Sequence, residues 1–173
     1  GILMGLTATL NPFRFHPSYM EIADLPLEER VEIMNTLEFR EKLLKEDAVS
    51  INPLVDEIVN SFGKMFKLGE PANYEPDPKD SFQQMSESSN MTAEEIAYQA
   101  MLEKDGRALI YHPLFNYQPG DLSLVEKMLK HPYTISGLGD AGAHCGAISD
   151  ASFPTTLVQH WSRDRDRGEK LPL

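Results

Sequence analysis

Apolar residues recur at helical spacing through several stretches of the chain. Between 26 and 66, Leu27, Val31 and Met34 lie four and three apart, and Phe39 and Leu43 four apart, the spacing of one helix face. Thr36 precedes the second of these pieces, but with Phe39 rather than Glu three positions on it is only half of a capping signal. A third piece opens at Pro53, a favoured first-turn residue, and carries Leu54, Val55, Ile58, Val59 and Phe62. The strongest helix start is Thr92-Ala93-Glu94-Glu95, a capping box, followed by Ile96, Ala97, Ala100 and Met101 and stopped by Gly106. A helix over 122–130 is predicted from Val125 and Leu129, capped by Asp121, with Lys127 and Lys130 near its C-terminus. A last helix starts near Phe153 or Pro154 and carries Leu157, Val158 and Trp161.

Short apolar runs separate these helices. Residues 1–10 read as a buried strand or its exit, 107–112 as a strand stopped by Pro113, and 133–138 as another. Pro12 and Pro17 discourage helix on both sides of a ring-rich loop holding Phe13, Phe15 and His16, which is expected to pack on the core. The proline-rich stretch 69–82 predicts an exposed loop with one short strand near Tyr74. From Thr92 on, the order helix, strand, helix, strand, helix predicts parallel β/α packing. The stretch 26–66 is then a helical insertion, and 92–173 holds the last β/α units.

With 173 residues the chain is long enough for one domain with a core, but short of the roughly 250 residues of a complete (β/α)8 barrel. Its 16 Lys+Arg against 27 Asp+Glu leave a formal net charge of −11, which argues against a nucleic-acid partner. The basic cluster Arg163, Arg165 and Arg167 alternates with Asp164 and Asp166 and reads as a solvated helix face. The single cysteine, Cys145, excludes an internal disulfide. No apolar run approaches a bilayer span, so no membrane partner is expected. The apolar opening Gly1-Ile2-Leu3-Met4 lacks a signal peptide's basic start. It suggests a chain beginning inside a longer domain, with a cytoplasmic address.

In a parallel β/α fold, chemistry gathers where strands end. The end of the 107–112 strand offers Tyr111, His112, Asn116 and Tyr117; the next offers Asp140, His144 and Cys145 among small residues. Asp140 is the leading candidate, because a carboxylate leaving an apolar strand needs a metal, a hydrogen-bond partner or a proton to handle. A turn aspartate bonded to its own loop amides explains it equally well. His144, four residues on, is a ligand only if both side chains face inward; a structural histidine and a small buried thiol at Cys145 are the simpler readings. Gly137-Leu138-Gly139-Asp140-Ala141-Gly142 matches a dinucleotide fingerprint in form only, since its acidic centre would repel a pyrophosphate.

The run Gly137-Leu138-Gly139-Asp140-Ala141-Gly142-Ala143-His144 is continued by Asp150-Ala151-Ser152-Phe153-Pro154-Thr155 and His160-Trp161-Ser162-Arg163-Asp164. Thr9-Leu10-Asn11-Pro12-Phe13 and Pro113-Leu114-Phe115-Asn116-Tyr117 extend the match. Together these resemble the amidohydrolase superfamily, and within it the D-aminoacylase-like (N-acyl-D-amino-acid deacylase) branch. The resemblance implies an α/β fold, part of a (β/α)8 barrel, with zinc as the cofactor and a small amide as the substrate. It implies that Asp140 touches the metal and takes a proton from metal-bound water, with His144, Asn116 and Tyr117 toward the substrate. The family's His-x-His pair is absent from the chain, so a partial barrel, inactive alone, is expected. The alternative is a non-catalytic β/α module that self-associates or binds a partner through exposed barrel edges.

Overall fold

In the computed structural model, residues 1–137, 139 and 151–172 are described. The periodic stretches fold as their spacing dictates. The helices α2 (Leu27–Met34), α3 (Leu37–Leu43) and α4 (Pro53–Asn60) follow α1 (Pro17–Ile22). Thr36 Oγ1 accepts from the Phe39 amide at 3.3 Å, and Asn52 Oδ1 from the Val55 amide at 3.0 Å, so both caps are made. Met34, Leu43 and Ile58 reach the same core as the later helices. Leu54 stays 60% exposed.

The long helix α6 (Ala93–Gly106) follows α5 (Phe82–Glu87) and holds the structure together. Its capping box is complete: Glu95 N donates to Thr92 Oγ1 at 3.2 Å, and Thr92 N to Glu95 Oε2 at 2.9 Å. Ala93, Ile96, Ala97, Ala100 and Met101 form one buried stripe, the pattern of a core-facing helix. Across that face the Tyr98 hydroxyl donates to Met34 O at 2.6 Å, tying α6 to the end of α2; burial holds that phenol's pKa far above its ordinary value.

The C-terminal end of α6 turns through Lys104, Asp105 and Gly106, with φ of 55°, 54° and 77°. Only glycine adopts this region without steric cost. At Gly106 a Cβ would also sit 2.5 Å from Val31 Cγ2. Gly106→Ala is therefore expected to lose about 2–4 kcal/mol, from the left-handed backbone together with overpacking. A urea titration against wild type checks it.

The sheet is where expectation and structure part. Strand β1 (Ile2–Met4), β2 (Phe66–Lys67) and β3 (Ile110–His112) form a sheet of order β1-β3-β2. Both pairings are antiparallel, with Met4 opposite Ile110 and Phe66 opposite Tyr111. The fold is mixed α/β, but the parallel packing predicted from alternating elements is not what the described residues form. Alternation implies parallel strands only when consecutive strands pair with each other. Here β3 is instead flanked by two strands from far earlier in the chain. The residues 133–137, predicted as a strand, are irregular, with Tyr133 and Ile135 92% and 94% exposed. No described strand lies beside them, and a lone extended run has nothing to take up its backbone groups.

Two helices go beyond expectation. Pro17 does not block a helix but opens α1 at its first turn, the one helical position where the missing amide costs nothing. The helix α5 begins within the stretch 69–82 that was predicted to be an exposed loop; it is capped by Ser81 Oγ, which accepts from the Gln84 amide at 3.3 Å. Near Tyr74 there is no strand. Later, α7 spans Ser123–Leu129, with Asp121 Oδ1 accepting from the Ser123 amide at 2.9 Å, and α8 spans Phe153–Thr156, prolonged by π-helical turns over Leu157–Asp164. Among the described residues no helix is long and apolar enough to cross a membrane.

Candidate functional site

A buried ion pair organises the C-terminal part. Arg165 follows the π-helical turns, and its side chain is 1% exposed; the Glu75 side chain is 2% exposed. The guanidinium donates from Nε and Nη2 to the two Glu75 oxygens at 3.0 and 3.1 Å, a bidentate pair. Its Nη1 donates to Glu126 Oε2 at 2.6 Å and to Glu169 O at 3.0 Å, and its face lies 4.6 Å from the Trp161 ring. Glu75 Oε1 also accepts from the Leu122 amide at 2.8 Å, so the pair joins the Tyr74 loop, the start of α7 and the C-terminal tail. Gly168 lets the tail close over it, because a Cβ there would sit 2.4 Å from the guanidinium carbon. The alternating basic cluster is thus not a solvated helix face. Arg163 pairs with Asp164 at the surface, Arg165 is core, and Arg167 Nη1 donates to Pro76 O at 2.7 Å.

Next to this pair lies a cavity of about 190 Å³ walled by the rings of Tyr74, Tyr111, Phe153 and Trp161, with Leu122 and His160. Tyr74 and Tyr111 meet edge to face at 5.5 Å, as do His160 and Trp161 at 5.3 Å. Tyr111 is placed by β3, and burial drives its phenol well above the ordinary value. His160 Nε2 is buried 3.4 Å from Glu75 Oε2, too loosely aligned for a full hydrogen bond. Burial lowers the His160 pKa, while the Glu75 charge opposes that shift.

A second polar pair forms at His112, the residue of β3 that follows Tyr111. Ser61 Oγ and His112 Nε2 are 2.8 Å apart, and Ser61 Oγ also donates to Ile58 O at 3.1 Å. The serine proton is therefore spent on the helix, and His112 Nε2–H is the donor to Ser61. Nδ1 of His112 is buried with no partner among the described residues. No carboxylate among the described residues orients it, and the pair fastens the end of α4 to the sheet.

Of the residues expected to form the site, Tyr117 is half-buried and its hydroxyl is engaged, donating to Pro76 O and accepting from Arg167 Nη1 at 3.2 Å. Burial pushes its pKa up to about 12. Asn116 is exposed with φ of 60°, in the left-handed region. Asp140, His144 and Cys145 lie outside the described residues. Among those described, no group of three His, Cys, Asp or Glu is placed to hold a metal ion, so they do not fit a zinc centre. Reasoning from sequence missed Glu75, His160 and Arg165. No spacing marks them, because the π-helical turns end between Asp164 and Arg165 and part Arg163 from the two arginines of the tail. Comparison with family models, curated proteins and solved structures returns no match.

Proposed function

We propose that this chain is part of a metal-dependent amidohydrolase of the D-aminoacylase-like branch, acting on the amide bond of N-acyl-D-amino acids or related small molecules. The observation that carries the reading is the run around Asp140 with its continuation to Asp164. Support comes from the described members of that continuation, because Phe153, His160 and Trp161 wall the cavity beside β3. In this reading Asp140 is the carboxylate that handles the proton of the attacking water, and His144, Asn116 and Tyr117 serve the substrate. Asp140 is also its metal contact, and the other ligands of a zinc ion would have to come from residues other than those described.

The finer fold assignment, the closing strands of a (β/α)8 barrel, belongs to the same proposal. It requires parallel neighbours for β3, whereas both flanks of β3 here carry antiparallel strands. A cytoplasmic location and a small-molecule substrate, not a nucleic acid, go with it. In protein expressed from the complete reading frame, Asp140→Asn is expected to lower turnover of N-acyl-D-amino acids by about 10²-fold or more, with circular dichroism unchanged. Wild-type turnover in that variant, or a frame without a His-x-His pair, overturns the reading.

One observation favours a second reading, a non-catalytic module that self-associates: the nearly complete exposure of Tyr133 and Ile135. Sedimentation would then show a concentration-dependent dimer that Ile135→Lys abolishes.

A further inference from the structure

Two cavities meet at His160. The ring-walled one measures about 190 Å³. Its neighbour, about 230 Å³, shares Tyr74, Ser152, Thr156 and His160 with it and adds the polar Gln159 and Asp164. An apolar cavity of about 150 Å³ accepts benzene, so the first has room for one six-membered ring and a short substituent. Rings bound by rings gain edge-to-face and offset contacts, and Tyr74, Tyr111, Phe153 and Trp161 supply both faces and edges.

The polar end is set by His160. Its Nε2 is buried 3.4 Å from the Glu75 carboxylate and makes no hydrogen bond among the described residues. A neutral imidazole offers one donor and one acceptor, so this ring brings an unpartnered polar edge to the cavity it lines. Glu75 is engaged by Arg165 and the Leu122 amide, so the imidazole is the buried polar group at this junction that has no partner among the described residues.

We propose that the joined cavities bind a small aromatic compound, its ring among Tyr74, Tyr111, Phe153 and Trp161 and its O–H or N–H group hydrogen-bonded to the His160 imidazole. The site does not depend on the amidohydrolase reading. Trp161 is the only tryptophan in the chain, so its fluorescence reports occupancy directly. Phenol and toluene, alike in size and different in the donor, are the probes. Both are expected to give saturable changes in the Trp161 signal. The ratio of phenol to toluene affinity should fall about tenfold in His160→Leu, the worth of one net hydrogen bond. Leu122→Phe fills the cavity and should remove both responses with circular dichroism unchanged. No saturable change with either probe overturns the proposal, and so does a ratio that His160→Leu leaves unaltered. Should His160→Leu fail to fold, the wild-type chain decides: phenol, and not toluene, must shift the His160 imidazole nitrogen resonances.

Discussion

Arg165→Ala is expected to destabilise the chain by about 3–5 kcal/mol, the cost of leaving a buried charge without its partner. The stranded group is Glu75, whose side chain is 2% exposed and which, among the described residues, keeps only the Leu122 amide as a full hydrogen-bond partner once the guanidinium is gone. The truncation also removes the cation from the Trp161 face and opens a void under Gly168. For a chain of this size each kcal/mol moves the melting midpoint by about 2–4 °C, so the midpoint should drop by roughly 10 °C. Removing both charges tells the pair's contribution from the penalty of breaking it: Glu75→Leu with Arg165→Met is expected to recover most of the loss. Thermal unfolding followed by circular dichroism measures both variants. An Arg165→Ala chain as stable as wild type would mean that water reaches Glu75.

Acid is expected to act on this protein first through its histidines. His112 is 2% exposed, and burial pushes its pKa down to about 4. His16 and His160 are lowered too, burial again being the main cause. An unfolded histidine titrates near 6.5. Between that value and about 4 the unfolded chain binds a proton that native His112 refuses. Its contribution to stability is thus complete above pH 6.5 and is lost as the pH falls toward 4. At 1.36 kcal/mol per pH unit the loss through His112 alone is about 3 kcal/mol. His112→Gln keeps an uncharged donor toward Ser61 and removes the titration, so its urea midpoint should depend much less on pH across that window. An equal slope in the two proteins would show that His112 ionises in place.

Local signals in the sequence were enough where the structure is local. The Thr92–Glu95 box and the stripe from Ile96 to Met101 specify α6 within a few turns, and the spacing of Leu27, Val31 and Met34 does the same for α2. Strand direction is a different kind of fact. That β3 pairs with Ile2–Met4 and Phe66–Lys67 depends on which distant segments win its two edges, and no residue of β3 encodes that choice. Pro17 was misread because proline excludes a helix from its own preceding turn and yet suits the first. At the site, Tyr74, His160 and Trp161 carried no spacing that joined them, since they converge only when the tail folds back onto Glu75. Tyr117 and Asn116 were visible as residues at a strand end, but not that the tyrosine hydroxyl would be bound to Pro76 and Arg167. Of the Asp140 run, the most specific stretch of the sequence, all but Gly137 and Gly139 lies outside the described residues.

The order of the sheet also sets a timetable for synthesis. Met4 waits for Ile110, its partner about a hundred residues later, and at roughly 5–20 residues per second that wait lasts on the order of 5–20 s. Arg165, the partner that Glu75 needs, arrives later still. For that interval the nascent chain carries an unpaired strand and an acidic side chain that cannot yet be buried, so the first half cannot settle on the ribosome into its final form. An assisting factor that shields extended apolar segments would act in that interval, before the tail delivers its arginine.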